Sequence, residues 1–196
     1  MKATAVADLR TVLTSLSSPR YTLSAALPLI PRKPGLYAIQ GDDNVWGSLG
    51  LGAPVIGLPL YVGKSEDNLA DRDLKTHFGN GRTGSSTVRR SFAALLRDEL
   101  QLSAIPRNTA KPGHFSNYGL SAAHDAVLTN WMRSKLEISF WIYDRSHPLA
   151  TIESEVLQHL HPPLNIQGVA HNWKARVMAE RAVMATQARS CRPACQ

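Results

Sequence analysis

Cysteine is nearly missing from this chain: two thiols in 196 residues, Cys191 and Cys195, both in a Pro-containing tail. Standing so close together and without a neighbouring His, they neither staple a core nor complete a zinc site, and they read as reduced tail thiols. No apolar run approaches the ~18 residues that a membrane span requires. Residues 1–6 lack the basic region and apolar block of an export leader, so the expectation is a soluble, cytoplasmic protein with no membrane partner. Charged residues make up only 19% of positions, and there is neither an internal repeat nor a low-complexity block, which excludes a disordered polyelectrolyte and a solenoid. Acid is also in short supply. Fifteen Asp and Glu face 22 Lys and Arg, leaving a net charge of +7 and a pI near 9.7. That balance favours a polyanionic partner such as nucleic acid, because Lys and Arg facing phosphates displace condensed counterions.

What is present is an ordinary apolar content of 43%, enough to bury a core in one domain with at most a small appendage. The spacing of apolar residues predicts an amphipathic helix over 3–16. Strands are expected over 35–39, from its β-branched and aromatic bias, over the apolar run 58–62, and over 136–143, where Ile138, Phe140 and Ile142 alternate with Ser139, Trp141 and Tyr143. Residues 41–59, rich in Gly and Pro, read as an irregular insertion, and 103–120 as loop. Further helices are expected over 69–78, 88–102, 121–134, 147–161 and 172–187. The second of these is capped by one of the hydroxyls in Thr83-Gly84-Ser85-Ser86-Thr87, and the fourth is halted by Pro162-Pro163. A small three-stranded sheet covered by helices follows, an α+β or mixed α/β core.

Two features ask for a chemical explanation. On a wheel of residues 147–161 the apolar arc of Leu149, Ile152, Val156, Leu157 and Leu160 encloses Glu153, which falls at about 40° from Leu149, whereas Glu155 falls at about 240° on the polar face. A carboxylate on the core side is costly unless it is paired or holds a cation. Tyr37 and Tyr61 are the second feature, each in a short strand-like run beside glycine: Gly35-Leu36-Tyr37 and Tyr61-Val62-Gly63-Lys64. Trp131, Trp141 and Trp173 read as packing residues. His159 and His161, two positions apart on a helix, face different ways and read as exposed histidines rather than a zinc pair.

Together the two tyrosine runs resemble the halves of the motif that names the GIY-YIG nuclease family, with Lys64-Ser65 in the usual following place. Asn68-Leu69-Ala70-Asp71-Arg72 resembles the family's Asn-Leu-x-x-Arg helix start and His77-Phe78 its continuation. Glu153 through Pro162-Pro163-Leu164-Asn165 resembles its Glu helix ending in Pro-Pro-x-Asn. The resemblance covers about residues 35–165 and implies a GIY-YIG-like α+β module with a central three-stranded antiparallel sheet. Residues 31–168 would form this module, 1–30 an N-terminal helical extension, and 169–196 a C-terminal helix and tail. It implies an endonuclease that hydrolyses phosphodiesters, usually in DNA, with one divalent cation, Mg²⁺ or Mn²⁺. Glu153 would be the metal ligand. Tyr37 or Tyr61 would help deprotonate water, Arg72 and His77 would bind the scissile phosphate or assist proton movement, and Asn165 would support the site.

Two departures from the family pattern matter. Arg72 and His77 stand five positions apart rather than four, a turn of roughly 140° on a helix. Either Arg72 sits at a frayed start or Arg89 or Arg90 holds the catalytic phosphate instead. The separation of Tyr37 from Tyr61 is closer to that of restriction-type members. Lys64, Arg82, Ser86, Arg89 and Arg90 are expected at the nucleic-acid backbone, since hydroxyls, guanidinium groups and amides at a helix start all suit phosphates. The competing expectation is a catalytically silent nucleic-acid-binding protein on the same scaffold.

Overall fold

The computed structural model describes residues 9–70, 77–108 and 116–191. Its centre is an antiparallel sheet in the order β1-β6-β2-β3. The expected three strands are there as β2 (Gly35–Gln40), β3 (Tyr61–Ser65) and β6 (Glu137–Ile142), and a two-residue β1 (Tyr21–Thr22) adds a fourth at one edge. Among the described residues the helices are α1 (Leu9–Ser17), α2 (Leu23–Ala26), α3 (Asp43–Ser48), α4 (Thr87–Leu95), α5 (Ala122–Lys135), α6 (Leu149–Leu160) and α7 (Lys174–Ser190). A small separate ribbon pairs β4 (Ala104–Ile105) with β5 (Gly119–Leu120).

Because side chains alternate along a strand, β2 sends Tyr37 and Ile39 to one face and Leu36 and Ala38 to the other. The first face carries the larger core, built with Val45 and Trp46 of α3, Val88 and Phe92 of α4, Leu128 and Met132 of α5, and Val177 and Met184 of α7. The second face packs Leu36, Ala38, Val62 and Trp141 against Val12 and Leu16 of α1 and Ile152 and Val156 of α6. The sheet is thus covered on both sides. The end of α1 is tied down by polar contacts: Gln40 Nε2 donates to the Leu16 carbonyl at 2.7 Å, and the Ser139 hydroxyl donates to that same oxygen. This satisfies a carbonyl that the helix end leaves open.

Several boundaries differ from expectation for local reasons. Residues 41–59 are not wholly irregular, because Asp42 caps α3 by accepting from Val45 N at 2.9 Å. Within 103–120 lies the β4–β5 ribbon. Helix α4 stops at Leu95 rather than near residue 102; the chain turns through 96–101, with Gln101 in the left-handed region at φ 52°. Acidic Asp98 and Glu99 oppose continuation there, since they would face the negative end of the helix dipole. Helix α6 ends as expected before Pro162-Pro163, with His161 left-handed at φ 51° and its Nδ1 bonding the Ala170 carbonyl at 3.1 Å. The expected start of α1 over residues 3–8, most of the expected helix over 69–78, and Cys195 lie outside the described residues.

Candidate active site

The register of β2 against β3 builds the site. Tyr37 lies opposite Gly63 and Ile39 opposite Tyr61, so both tyrosines point to the same face on neighbouring strands. Their ring centroids are 6.1 Å apart. Gly63 is required by this crossing: a Cβ there would lie 2.5 Å from Tyr37 Cζ and closer still to its Oη. Gly35 is required on the other side of β2, where a Cβ would run into the Trp141 carbonyl of β6. The two glycines let three strands and one phenol ring pack at backbone distance.

His77 closes the aromatic group, its ring 5.7 Å from that of Tyr37 and 6.2 Å from that of Tyr61. Both its nitrogens are engaged. Nε2 meets Tyr37 Oη at 2.7 Å, and Nδ1 meets Ser86 Oγ at 2.8 Å. Ser86 is also the residue that caps α4, accepting from Arg89 N at 3.2 Å. Its hydroxyl is 1% exposed and faces His77, which removes it from the expected backbone contacts to nucleic acid.

Glu153 comes from α6 on the opposite face and meets this group at the free edge of β3. Tyr61, Glu153 and Asn165 line one cleft of about 260 Å³ together with Thr87, Leu164 and Gln167. Glu153 is partly buried and Glu155 exposed, as the wheel predicts. Glu153 Oε2 lies 3.6 Å from Lys64 Nζ, which also meets Glu66 Oε1 at 3.0 Å. The hydrogen bond to Glu66 raises the Lys64 pKa above its ordinary value, opposed by partial burial and helped by the charge of Glu153. Lys64 is therefore a charged counter-ion held between two carboxylates. Asn165 is 8% exposed and mimics a strand residue: its Oδ1 accepts from Val62 N at 2.9 Å and its Nδ2 donates to Val62 O at 2.7 Å. His171 braces the same segment, with Nε2 3.1 Å from the Asn165 carbonyl.

The expected arginines separate. Arg72 lies outside the described residues. Arg82 is exposed and lines a different polar cleft of about 350 Å³ with Arg107. Arg89 is fully buried and structural rather than available to a phosphate. Its guanidinium donates to Thr83 Oγ1 at 3.2 Å, the His77 carbonyl at 2.9 Å, Thr129 Oγ1 at 2.9 Å and Asp125 Oδ2 at 3.0 Å. Arg90 is 6% exposed, with Nη1 on the Gly84 carbonyl at 2.8 Å and Nη2 on Thr87 Oγ1 at 3.2 Å. Burial first, then the charge of Arg181, lowers its pKa to about 10. Neither Arg89 nor Arg90 presents a free fork to the cleft, so both are corrected from substrate contacts to interior residues. The partnership of Ser86 with His77 and the presence of Thr87 and Gln167 in the cleft carry no local sequence signal. They follow from how α4 and the segment after α6 pack.

Among the described residues no group of three or more His, Cys, Asp or Glu could hold a metal ion. Among the described residues Glu153 is the one carboxylate that lines the cleft, beside the neutral oxygens of Tyr61, Thr87, Asn165 and Gln167. That suits a hard, hydrated cation such as Mg²⁺, which is bound through one or two carboxylates and phosphate oxygens, and not a soft one that asks for several nitrogen or sulfur ligands.

Paired tyrosines cross over glycine on adjacent antiparallel strands of an α+β module, with a histidine behind them and a helix-borne glutamate at the sheet edge. Residues 58–185, close to two thirds of the chain, match the family model described as the GIY-YIG catalytic domain. The chain belongs to the GIY-YIG family, which points to a nuclease and to a nucleic-acid substrate. No curated protein and no solved structure matches it significantly. The match begins after Gly35-Leu36-Tyr37, a segment that the β2–β3 register sets beside the matched strand β3.

Proposed function

We propose that this chain is a divalent-metal-dependent endonuclease that hydrolyses phosphodiester bonds in DNA in the cleft beside β3, in a cytoplasmic setting. The observation that supports it most is the meeting of Tyr61, Glu153 and Asn165 around one cleft, with Tyr37 and His77 packed against Tyr61.

Hydrolysis asks for a nucleophile made from water, donors for the phosphoryl oxygens and a leaving oxygen that does not remain a bare alkoxide. Glu153 would hold Mg²⁺ or Mn²⁺, which when bound supplies Lewis acidity and eases departure of the leaving group. Tyr61, at the cleft wall, or Tyr37 behind it accepts the proton of the attacking water. A phenol starts near ~10, so a neighbouring positive charge such as that of Lys64, and of Arg72 as the family resemblance implies, would favour its deprotonated form. Arg72 offers a planar fork to the scissile phosphate. His77, bonded to Tyr37, helps proton movement through the phenol. Asn165 keeps the edge of β3 and the wall of the cleft in register. Arg82, on the neighbouring cleft, contacts the backbone farther along the strand.

The test is incubation of plasmid, single-stranded DNA and RNA with Mg²⁺ or Mn²⁺, beside EDTA and Glu153→Gln controls. Nicking that EDTA abolishes is expected. Glu153→Gln should lower the rate by at least about a hundredfold, since a cation contributes several kcal/mol and each ~1.4 kcal/mol is tenfold. Binding without nicking in either metal would select the silent nucleic-acid-binding protein instead.

A further inference from the structure

The hydroxyl of Ser86 has a satisfiability problem with one solution. Ser86 is buried, and among the described residues its Oγ meets two groups, the backbone N–H of Arg89 at 3.2 Å and His77 Nδ1 at 2.8 Å. The Arg89 amide can only donate, so it takes a lone pair of Oγ. The Ser86 hydrogen then has one acceptor in reach, Nδ1 of His77. Were Nδ1 to carry the imidazole proton, Oγ would accept twice and its own hydrogen would be buried without a partner, a costly arrangement.

From this geometry we infer that Ser86 is a positioning residue that holds neutral His77 in its Nε2–H tautomer, so that the imidazole donates to Tyr37 Oη across the 2.7 Å contact. The inference rests on the nuclease reading for its catalytic consequence and on hydrogen-bond accounting for the tautomer. Its consequence is directional. The Tyr37 oxygen receives a hydrogen bond from the imidazole, its own hydrogen points elsewhere, and negative charge on that oxygen meets a donor already in place. The opposite tautomer would present a lone pair to the phenol and favour its protonated form. Arg89 supports this arrangement twice, through its amide on Ser86 and through Nη1 on the His77 carbonyl at 2.9 Å.

The decisive measurement is a long-range ¹H–¹⁵N correlation spectrum of the full chain, with the His77 signals assigned against His77→Gln. A protonated Nε2 and an unprotonated Nδ1 are expected; a protonated Nδ1, or an even mixture, overturns the inference whatever the enzyme does. Ser86→Ala should convert the signal to a tautomer mixture. So should Ser86→Gly, which keeps most of the capping preference and guards against simple unfolding. Ser86→Thr, which restores a hydroxyl, should bring back the single tautomer. In cleavage assays the Ala and Gly variants should lose about tenfold in kcat, a fraction of the ~10²–10⁴ that positioned proton transfer contributes, with KM within about twofold. Recovery of kcat in Ser86→Thr supports the role, and equal loss in all three variants overturns it. Full activity of both Tyr37→Phe and Tyr61→Phe would sink the phenol chemistry alone, because the tautomer is read from the spectrum independently.

Discussion

Asp125→Asn is the most informative single change in the interior. Arg89 and Asp125 are exposed by 0% and 2% at their side chains and stand 3.0 Å apart, so each charge depends on the other. The carboxylate also takes the Gly81 amide at 2.5 Å, the Thr83 amide at 3.3 Å and the Thr83 hydroxyl at 2.5 Å. Replacing it by an amide leaves the Arg89 guanidinium charged without an acid and turns an N–H group towards donors. Breaking a buried pair from one side costs about 3–5 kcal/mol. At roughly 2–4 °C per kcal/mol for a chain of this size, the melting temperature should fall by roughly 6–20 °C. Arg89→Met should cost less, because Asp125 keeps its three other donors. The double variant should cost less than the sum of the two by about 2 kcal/mol, measured by chemical denaturation in a double-mutant cycle. If Asp125→Asn loses under about 1 kcal/mol, or if the two changes simply add, then Arg89 and Asp125 do not act as a closed ion pair and the interior assignment of Arg89 fails.

Other outcomes follow from the same geometry. Gly63→Ala forces the Tyr37 ring off its place and should destabilise the fold by about 1–3 kcal/mol while reducing cleavage more than Tyr37→Phe does; a normal melt and a normal rate together would contradict the crossing. Burial lowers the His171 pKa below 6.5, only partly offset by its bond to the Asn165 carbonyl, so the folded state favours the neutral ring. The unfolded chain takes the proton first as pH falls, so this contribution is complete above about 6.5 and lost as pH drops through the folded value. His171→Gln should therefore flatten the decline in denaturation midpoint between about pH 7.5 and 5.5. Arg82→Glu should weaken nucleic-acid binding and flatten its dependence on log salt, whereas Arg89→Met, being interior, should leave that slope unchanged.

How much of this was legible in the sequence divides along the range of the interactions. Strand β6 carries its own period, β2 an aromatic and β-branched bias, and Glu153 is separated from Glu155 by a helical wheel alone. Strand β3 is displaced from expectation: Leu58 and Leu60 lead into it, and pairing extends through Gly63 and Lys64, which have little strand preference but face Tyr37 and Leu36 across the ladder. Helix α3 was masked by surrounding Gly and Pro, although Asp42 before Val45-Trp46 was a readable cap. The basic residues 82–97 look alike in sequence and differ sharply in place. Seven of the nine residues of α4 are buried because α5, α7 and the turn before it cover the helix on several sides, so no single-arc wheel separates a surface arginine from Arg89. Ser86 beside His77 and Asn165 beside Val62 depend on tertiary approach and leave no local trace.

Strand β3 ends the sheet, and its outer rim offers backbone groups that a foreign strand would otherwise adopt as a template. The Asn165 amide occupies both polar groups of Val62 on that rim, and Leu164 N takes the Leu60 carbonyl at 3.0 Å. The segment that lines the cleft thus also covers part of that rim. Losing it should expose that rim, so in this molecule colloidal behaviour becomes a convenient gauge of whether the wall of the cleft is intact.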